Sequence, residues 1–264
     1  MSVNTKILSY IETYFMGGRK KFNLLKTIYL NFVCLPISQA FKLPIYCYGP
    51  IRYSCLRGQI ILSGPIKRGC IKIGLDNTKY RTRGTTTLTL LPNSILNFEQ
   101  NVMVYQGASI LVGTNAILVM KENCTLGDEA EIICKKKILI GRNTGITWQC
   151  QVTDFNSHFI LDMKSRKVST IYREVHIGNY CWVGNRTTIQ PGTVLPSRVI
   201  VCSNSLLNKD YYKLGVKENS LIGGMPAKVL KTDVRRIYDK HKEVELLNRF
   251  INSDNDIIIT ENIE

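Results

Sequence analysis

The residue whose type and surroundings best suit acid–base chemistry in this sequence is His158. It has one aspartate four residues before it, Asp154, and another four residues after it, Asp162. Histidine is the simplest general base near neutral pH, because its unperturbed pKa of about 6.5 lets it take up and release protons there. A carboxylate that accepts a hydrogen bond from one ring nitrogen would hold the ring in place. The spacing allows either aspartate to do this, and it also allows an incidental surface histidine.

The element that must position His158 is a run of six-residue repeats that follows it. Residues 177–206 divide into five hexads, each with an aliphatic residue at the start and a slim residue four places later. The aliphatic positions are Ile177, Val183, Ile189, Leu195 and Val201, and the slim positions are Cys181, Thr187, Thr193, Val199 and Ser205. A helix repeats near 3.6 residues and a strand near 2, so a constant period of six fits neither alone. It predicts an all-β solenoid, a parallel β-helix with three hexads in each coil.

The same repeat is visible earlier in the chain and is interrupted once. Aliphatic residues open blocks at positions 112, 118, 126, 132, 140 and 146, with small insertions at two corners. Residues 153–176, which contain His158, break the register completely before Ile177 restores it. Loops this long without secondary structure are uncommon in compact domains and are usually functional or disordered. We therefore expect a loop ejected from the solenoid that carries the histidine.

Three segments of the chain, in this order, resemble the hexapeptide-repeat acyltransferases, and most of all the branch that O-acetylates sugars and surface polysaccharides. They are CQVTDFNSHFI, IGNYCWVGNRTTIQPGTVLP and IGGMPAKVLK, and the resemblance covers about residues 90–231. It implies a left-handed parallel β-helix and a homotrimer, with acetyl-CoA as co-substrate in the groove between neighbouring solenoids. It also implies that His158 is the catalytic base and Asp154 its partner. Asp162 is the alternative partner or a substrate contact, and Trp182 is expected to line the substrate site.

The resemblance also implies five residues that bind acetyl-CoA. They are Ser203, Asn208, Lys209, Lys228 and Lys231. The backbone amide of Ser203 is expected to meet the pantetheine arm, and the lysines are expected near the nucleotide and its phosphates, which need donors and positive charge. The family usually has Ala-Gly-Ser where this chain has Ser203-Asn204-Ser205. The bulkier side chains there are a departure that could narrow the cofactor groove.

Composition restricts the partners and the compartment. The 264 residues carry a formal net charge of +15, which favours an anionic partner such as an anionic or lipid-linked glycan, a phosphorylated molecule or a membrane surface. No zinc finger or RNA-recognition signature points to nucleic acid. The nine cysteines form no CxxC pair and predict reduced, buried thiols rather than a disulfide frame. With no secretory signal or apolar run of about 18 residues, we expect a cytoplasmic protein, at most peripheral to the inner face of the cell membrane.

Three regions are predicted along the chain. Residues 1–44 form a helical region, residues 45–231 form the β-helix acyltransferase domain, and residues 232–264 form a C-terminal helix and tail. Apolar faces with helical spacing occur on both sides of Gly17-Gly18, and basic residues gather there. These helices fit a cap over the open end of the solenoid, and they also fit an amphipathic anchor on an anionic membrane.

Two other functions remain open at this point. Some hexapeptide proteins are zinc hydrases, in which three histidines converge at a subunit interface. His158 and His176 are eighteen residues apart, about one coil, but no third histidine lies nearby and we expect no metal site. We expect His176 and His241 to be solvated side chains. The second alternative is a structural β-helix protein that lacks CoA binding because of the departure at Ser203-Asn204.

Overall fold

The computed structural model describes residues 22–76, 84–253 and 256–259 of the chain. The helix predicted within residues 1–15 lies outside these residues. The helices are α1 (Leu24–Cys34), α2 (Ile37–Ala40) and α3 (Lys240–Ile251). The first eleven strands are β1 (Ile45–Cys47), β2 (Ile51–Leu56), β3 (Gln59–Leu62), β4 (Ile71–Leu75), β5 (Thr86–Leu90), β6 (Ile95–Phe98), β7 (Met103–Tyr105), β8 (Ser109–Val112), β9 (Ile117–Met120), β10 (Thr125–Leu126) and β11 (Glu131–Cys134). The others are β12 (Lys137–Ile140), β13 (Gly145–Ile146), β14 (Gln151–Thr153), β15 (Val175–Ile177), β16 (Trp182–Val183), β17 (Thr188–Ile189), β18 (Val194–Leu195), β19 (Ile200–Val201), β20 (Leu206–Leu207), β21 (Leu221–Gly223) and β22 (Lys228–Lys231).

The strands form three sheets, and successive strands pass from one sheet to the next. Sheet 1 has the order β1-β4-β7-β10-β13-β16-β19-β21-β22, sheet 2 has β2-β5-β8-β11-β14-β17-β20, and sheet 3 has β3-β6-β9-β12-β15-β18. From β4 to β20, each strand stacks in parallel on the strand three before it. Strand β21 stacks in parallel on β19, and among the described strands only the β21–β22 pairing is antiparallel. This arrangement is a parallel β-helix with a helix at each end, and it confirms the fold predicted from the hexads.

The hexad positions form the core of the solenoid. The five aliphatic and five slim positions of residues 177–206 are all buried. The slim polar residues stay satisfied inside because they donate to backbone carbonyls at the corners. The hydroxyl of Thr187 donates to the carbonyl of Cys202 at 3.2 Å, and that of Ser205 donates to the same carbonyl at 2.7 Å. Each fully buried aliphatic side chain contributes about 1.5–3 kcal/mol to the stability of the fold. The hexad repeat itself therefore stabilises the stacked sheets of the solenoid, here called the wall.

The solenoid starts earlier than its sequence pattern suggests. Residues 45–73 show no clean six-residue register, yet β1 pairs with β4 in the same parallel stack, Ile45 opposite Ile71. The register is hidden because the connections after β3 and β4 are longer than the corners between β5 and β14. Strand β5 starts at Thr86, and residues 77–83 before it lie outside the described ranges.

Helix α1 closes the first coil with polar side chains. Asn23 is its N-cap and accepts from the backbone N–H of Lys26 at 3.1 Å. The hydroxyl of Thr27 accepts from the N–H of Cys47 at 2.9 Å. The Asn31 amide pairs with Ile45, donating to its carbonyl at 2.7 Å and accepting from its N–H at 3.2 Å. These hydrogen bonds satisfy free backbone groups of β1 in the first coil, where the end of a solenoid needs a cover.

The C-terminal helix begins later than its amphipathic pattern predicts. The sequence suggested a start near Thr232, whereas α3 starts at Lys240. Asp239 is the N-cap, and its carboxylate accepts from the backbone N–H of His241 at 2.7 Å and of Lys242 at 3.2 Å. Those hydrogen bonds hold the pKa of Asp239 below its usual value. Residues 232–239, here called the C-terminal arm, are consequently free of helix and cross the side of the solenoid.

All nine cysteines are unpaired thiols, six of them buried. Burial raises the pKa of Cys124 and of Cys181 to about 12, so both stay protonated at neutral pH. The prediction that these thiols are reduced stays a prediction. Among the helices within the described ranges, none has both the length and the apolar character needed to cross a bilayer.

Candidate functional site

The ejected loop, residues 154–174, leaves the solenoid at the corner between sheets 2 and 3. It follows β14 and ends where β15 begins. Below it the stack is uninterrupted, because β15 pairs with β12 through Ile138 opposite Val175 and Ile140 opposite Ile177. The loop is therefore an insertion on a continuous wall, as its sequence predicts, and its two ends are held by neighbouring sheets.

Asp154 anchors the first end of this loop. Its side chain is fully buried, and its carboxylate accepts three backbone hydrogen bonds of 2.7 Å from the N–H groups of Lys135, Lys136 and Lys137. These donors belong to the corner of the preceding coil. A carboxylate with three short charge-assisted hydrogen bonds is held firmly. Asp154 differs here from the expectation based on spacing, because its carboxylate ties two coils together and does not contact His158.

Asp162 organises the tip of the loop. Its Oδ1 accepts from the backbone N–H of Ser165 at 2.7 Å and of Lys164 at 3.0 Å. The hydrogen bond from Ser165 is the main reason why the pKa of Asp162 lies below its usual value. Its N–H donates to the carbonyl of Lys167 at 2.9 Å, which closes a small turn. This aspartate also does not contact His158, so neither expected partner holds the imidazole in this chain.

His158 stands exposed in the loop, surrounded by apolar side chains that also face solvent. Within the described residues its ring makes no hydrogen bond or ion pair. The exposed apolar side chains of the loop are Phe159, Ile160, Leu161, Met163, Val168 and Tyr172. Apolar groups concentrated on a surface in this way usually mark a contact with another molecule. The imidazole is accessible to a substrate. The exposed apolar side chains of the same loop suit a contact with another molecule.

A second histidine has the carboxylate partner that His158 lacks. Glu174 accepts from Nε2 of His176 at 3.1 Å, and it also pairs with Lys136 at 3.5 Å and Lys137 at 3.9 Å. The hydrogen bond from His176, followed by the two lysines, lowers the pKa of Glu174. The sequence predicts a solvated His176, and in the structure 42% of its side chain is exposed while Glu174 contacts its ring. The two-residue spacing on an extended strand, which puts both side chains on one face, was the signal for this pair.

Trp182 lies on the outer surface of sheet 1 and is 40% exposed. The C-terminal arm covers part of its ring, because the Arg236 guanidinium lies 5.5 Å from the Trp182 ring centroid and 5.1 Å from that of Tyr238. The hydroxyl of Tyr238 donates to the carbonyl of Tyr180 at the adjoining corner. Burial raises the pKa of Tyr238 to about 12, so the hydroxyl keeps its proton at neutral pH. Cation–π contacts of this kind hold the arm against the wall.

The arm and the corner enclose a basic cavity of about 190 Å³ beside Trp182. It is lined by Tyr180, Arg198, Arg235, Arg236, Ile237, Tyr238 and Asp239. Arg198 lies 5.3 Å from the Tyr180 ring centroid and forms an ion pair with Glu218 at 3.7 Å. Three guanidinium groups in one recess suit an anionic group. The sequence does not reveal this recess, because its amphipathic pattern predicts a helix from about Thr232, where the structure has the C-terminal arm.

Two of the expected acetyl-CoA residues meet at the corner between sheets 1 and 2. Ser203 follows β19 and is exposed. Lys228 opens β22 opposite Gly223, and the neighbouring N–H of Cys202 donates to the carbonyl of Ile222 at 2.9 Å. Ser203 and Lys228 therefore lie near each other. Lys231 is at the far end of β22, opposite Leu221.

The other two lie at the corner between sheets 2 and 3, on the same edge as the ejected loop. Asn208 and Lys209 are exposed there, and the backbone carbonyl of Lys209 accepts from the N–H of Val194 at 3.2 Å. Within the described residues, the ammonium groups of Lys209, Lys228 and Lys231 form no ion pair. They are available to an anion.

The expected site residues thus fall into two groups in one chain. The first group, at the edge between sheets 2 and 3, contains His158, Asn208 and Lys209 together with both aspartates. The second group, on sheet 1 and its corner with sheet 2, contains Trp182, Ser203 and the two lysines of β22. Each group has polar or charged side chains open to solvent, and no single edge of this chain carries both. In the described ranges, no group of three or more histidine, cysteine or acidic side chains is placed to hold a metal ion.

Comparison with known proteins gives low but extended similarity to O-acetyltransferases. No family model matches the chain. Over 148 residues, which cover 52% of this chain and 71% of the relative, it is 26% identical to the Escherichia coli K12 protein named "Putative lipopolysaccharide biosynthesis O-acetyl transferase WbbJ". The crystal structure of the polySia specific acetyltransferase NeuO is 16% identical, with a TM-score of 0.45, and the match covers 79% of this chain and 99% of that one. A maltose O-acetyltransferase from Clostridium difficile 630 is 25% identical over 53% of this chain and 67% of its own, with a TM-score of 0.32.

Proposed function

We propose that this chain is a hexapeptide-repeat acyltransferase and that it transfers an acetyl group from acetyl-CoA to a hydroxyl group of a sugar or surface-polysaccharide precursor. The observation that carries this proposal is the exposed loop histidine on a solenoid whose sequence is similar to that of an O-acetyl transferase. The net charge of +15 and the basic cavity beside Trp182 favour an acceptor with anionic groups. The site of action proposed is the cytoplasm.

His158 is the proposed general base. A sugar hydroxyl is a weak nucleophile until its proton is removed during attack. The imidazole takes that proton as the hydroxyl oxygen bonds to the thioester carbonyl carbon, and it then gives the proton to the departing sulfur as the carbon–sulfur bond breaks. Acid–base help of this kind is worth about 10²–10⁴ in rate. Asp154 acts as a positioning residue in this scheme, since it fixes the base of the loop through three backbone N–H groups.

The residues expected to bind acetyl-CoA fit such a ligand. Ser203 offers an exposed backbone and hydroxyl, and its side chain points away from the buried wall. Lys209, Lys228 and Lys231 offer unpaired ammonium groups for phosphate oxygens, and Asn208 adds an amide. The bound co-substrate supplies the activated acetyl group. A backbone N–H near the carbonyl oxygen would stabilise the negative charge that develops there.

A homotrimer is the proposed working form, because it would join the two groups of residues. In one chain the loop edge carries the histidine and another edge carries Trp182, Ser203 and Lys228. In a trimer, three β-helices would pack side by side, and the loop edge of one copy would face sheet 1 of the next. The exposed apolar side chains around His158 support this arrangement, because a neighbouring copy would remove them from water. Acetyl-CoA would then lie in the groove between two copies.

The first test measures acetyl transfer in His158→Ala and His176→Ala variants of the full chain. The acceptor is identified beforehand by mass spectrometry of cell-surface glycans with and without the protein, looking for the loss of one acetyl group per modified sugar. We expect His158→Ala to lower turnover by about 10²–10⁴-fold while calorimetry still detects acetyl-CoA binding. His176→Ala is the matched control, because His176 is the histidine with a carboxylate partner, Glu174, two residues before it on the same extended segment.

Each result of this test has a definite reading. Near-normal turnover in His158→Ala contradicts the assignment of the base, and a loss confined to His176→Ala moves it to the Glu174–His176 pair. Failure of the unmodified protein to bind acetyl-CoA contradicts the acetyltransferase proposal and favours the structural β-helix protein. Stoichiometric zinc in the purified protein would favour the hydrase instead.

A further inference from the structure

The outward face of α1 is almost entirely apolar. Six of its eleven residues are large apolar or aromatic side chains with at least about 40% of their area in water. They are Leu24, Leu25, Ile28, Tyr29, Phe32 and Val33. The inward face contains the buried Leu30 and Cys34 together with the polar Thr27 and Asn31, which hydrogen-bond to the backbone of β1. An ordinary surface helix presents polar residues toward water, whereas α1 presents apolar ones.

Helix α2 extends this face. Ile37 and Phe41 are each 69% exposed, and the rings of Phe32 and Phe41 meet edge to face with centroids 5.3 Å apart. The six residues of α1 together with Ile37 of α2 and Phe41, the C-cap of α2, are called the apolar cap surface. Contiguous apolar surface of this kind on a folded chain marks a contact with another phase or molecule.

The charge around the apolar cap surface has only one sign. Residues 13–75 contain ten lysines and arginines and no aspartate or glutamate. Lys42 follows Phe41 directly and is exposed. Exposed Lys67 and Arg68 lie at the same end, because the next residue, Gly69, donates its N–H to the carbonyl of Leu43 at 3.0 Å. Within the described residues, the ion pairs do not include Lys42, Lys67 or Arg68, so the cations that border the apolar face are open to an anion.

We propose that the apolar cap surface docks on an anionic lipid bilayer, with α1 and α2 lying in the plane of the interface. Apolar side chains that enter the acyl boundary, bordered by lysines and arginines at the headgroups, are the chemistry of helices that lie on membranes. Interfacial contact fits this part of the chain, since no helix within the described ranges can span a bilayer. The charge pattern disfavours the two other occupants of this surface, a second copy and the N-terminal segment. A second copy would set one basic border against another. Residues 1–21 carry four basic residues against one acid, so the basic border would repel them as well.

This contact does not depend on acetyl transfer, and it would hold the chain where a lipid-linked acceptor is found. The test is sedimentation of the full-length protein with vesicles, one set of phosphatidylcholine alone and one that also contains phosphatidylglycerol. We expect the protein to sediment with the anionic vesicles and to be released by salt, since the electrostatic part acts within about one Debye length.

Two pairs of substitutions separate the apolar and the charged contributions. Leu25→Gln with Ile28→Gln changes neighbouring positions of the outward face, and the partition coefficient should fall by at least about tenfold. Lys42→Gln with Arg68→Gln removes two border charges, and the partition coefficient should fall by about tenfold or more. Tyr212→Gln with Leu214→Gln is the matched control, because those side chains are 73% and 61% exposed but lie near the other end of the solenoid. The control should bind as the unmodified protein does.

Each result of the vesicle experiments either supports or overturns the docking surface. Loss in both pairs of variants with normal melting, and binding by the control, supports the docking surface. Failure of the unmodified protein to sediment with anionic vesicles overturns it, and this is also what would be seen if residues 1–21 covered the face. Equal sedimentation with both kinds of vesicle overturns the assignment to an anionic surface. A change of oligomer size in Leu25→Gln with Ile28→Gln, without vesicle binding by the unmodified protein, assigns the face to a second copy instead.

Discussion

The regular wall of the solenoid and the loop inserted into it are built in opposite ways. In the wall, each hexad of residues 177–206 buries its aliphatic residue and its slim residue, and every coil repeats the contacts of the last. In the loop, all side chains from Ser157 to Thr170 are exposed. The wall is stable because its apolar residues are inside, whereas the loop presents a histidine and apolar groups to the outside. Asp154 joins them, since it belongs to the loop in sequence and to the wall by its hydrogen bonds.

The joint at Asp154 should show the largest effect on stability. Asp154→Asn replaces one carboxylate oxygen with an NH₂ group that faces N–H donors, and we expect the free energy of unfolding to fall by about 3 kcal/mol. Chemical denaturation measures this. Asp162→Asn is the matched control, because that carboxylate also accepts two backbone hydrogen bonds but stands in water at the tip, and the free energy of unfolding should change there far less than in Asp154→Asn. Equal effects would mean that the wall does not depend on this joint.

The exposed apolar residues of the loop should matter for assembly and not for folding. We expect Ile160→Ser to leave the melting temperature unchanged and to weaken self-association by about tenfold, since a buried isoleucine contributes about 1.5–3 kcal/mol. Sedimentation velocity over a range of protein concentrations measures the association. Val168→Ser tests whether the whole loop or only the part near His158 takes part. A variant that associates as well as the unmodified protein would place the subunit contact elsewhere.

The smallest effect should come from Glu174 at the end of the loop. Its folded pKa is lowered, so its interaction with His176 and the two lysines stabilises the fold above the unfolded pKa and is lost as the pH falls through the folded value. The pair is largely solvent-exposed, so Glu174→Gln should cost less than about 1 kcal/mol at neutral pH. The difference in stability between the two proteins should vanish in acid. A difference that grows on acidification would contradict this sign.

Much of the solenoid was predictable because each coil is formed by residues that are close together in the sequence. The aliphatic and slim positions of residues 177–206 repeat every six residues, and each coil contacts only its neighbours. The first coils escaped detection because longer connections after β3 and β4 break the period. The later start of α3 depends on one cap at Asp239, which a pattern of apolar spacing does not weigh. The loop itself was predictable as a gap in the register, and so was the exposure of His158.

The partners of the candidate residues were not predictable in the same way. Asp154 bonds to the corner 17–19 residues before it, and Arg236 covers Trp182 from 54 residues further along the chain. His158, expected to pair with a near aspartate, has neither of them, and His176 has a glutamate that spacing on a strand explains. These contacts depend on which corners are stacked and where the C-terminal arm crosses. A local pattern does not contain that information.

The sequence by itself determined that the chain coils in units of six and that one loop with a histidine leaves the coil. It also determined that the N-terminal end is basic and without acids over residues 13–75. Only the tertiary structure decided that Asp154 serves the wall, that the candidate residues occupy two separate edges, and that the apolar side of α1 faces outward. The physical reason is that the period of a repeat is set by neighbouring residues. Which side of a helix or which edge of a coil remains open is set by residues far apart in the chain.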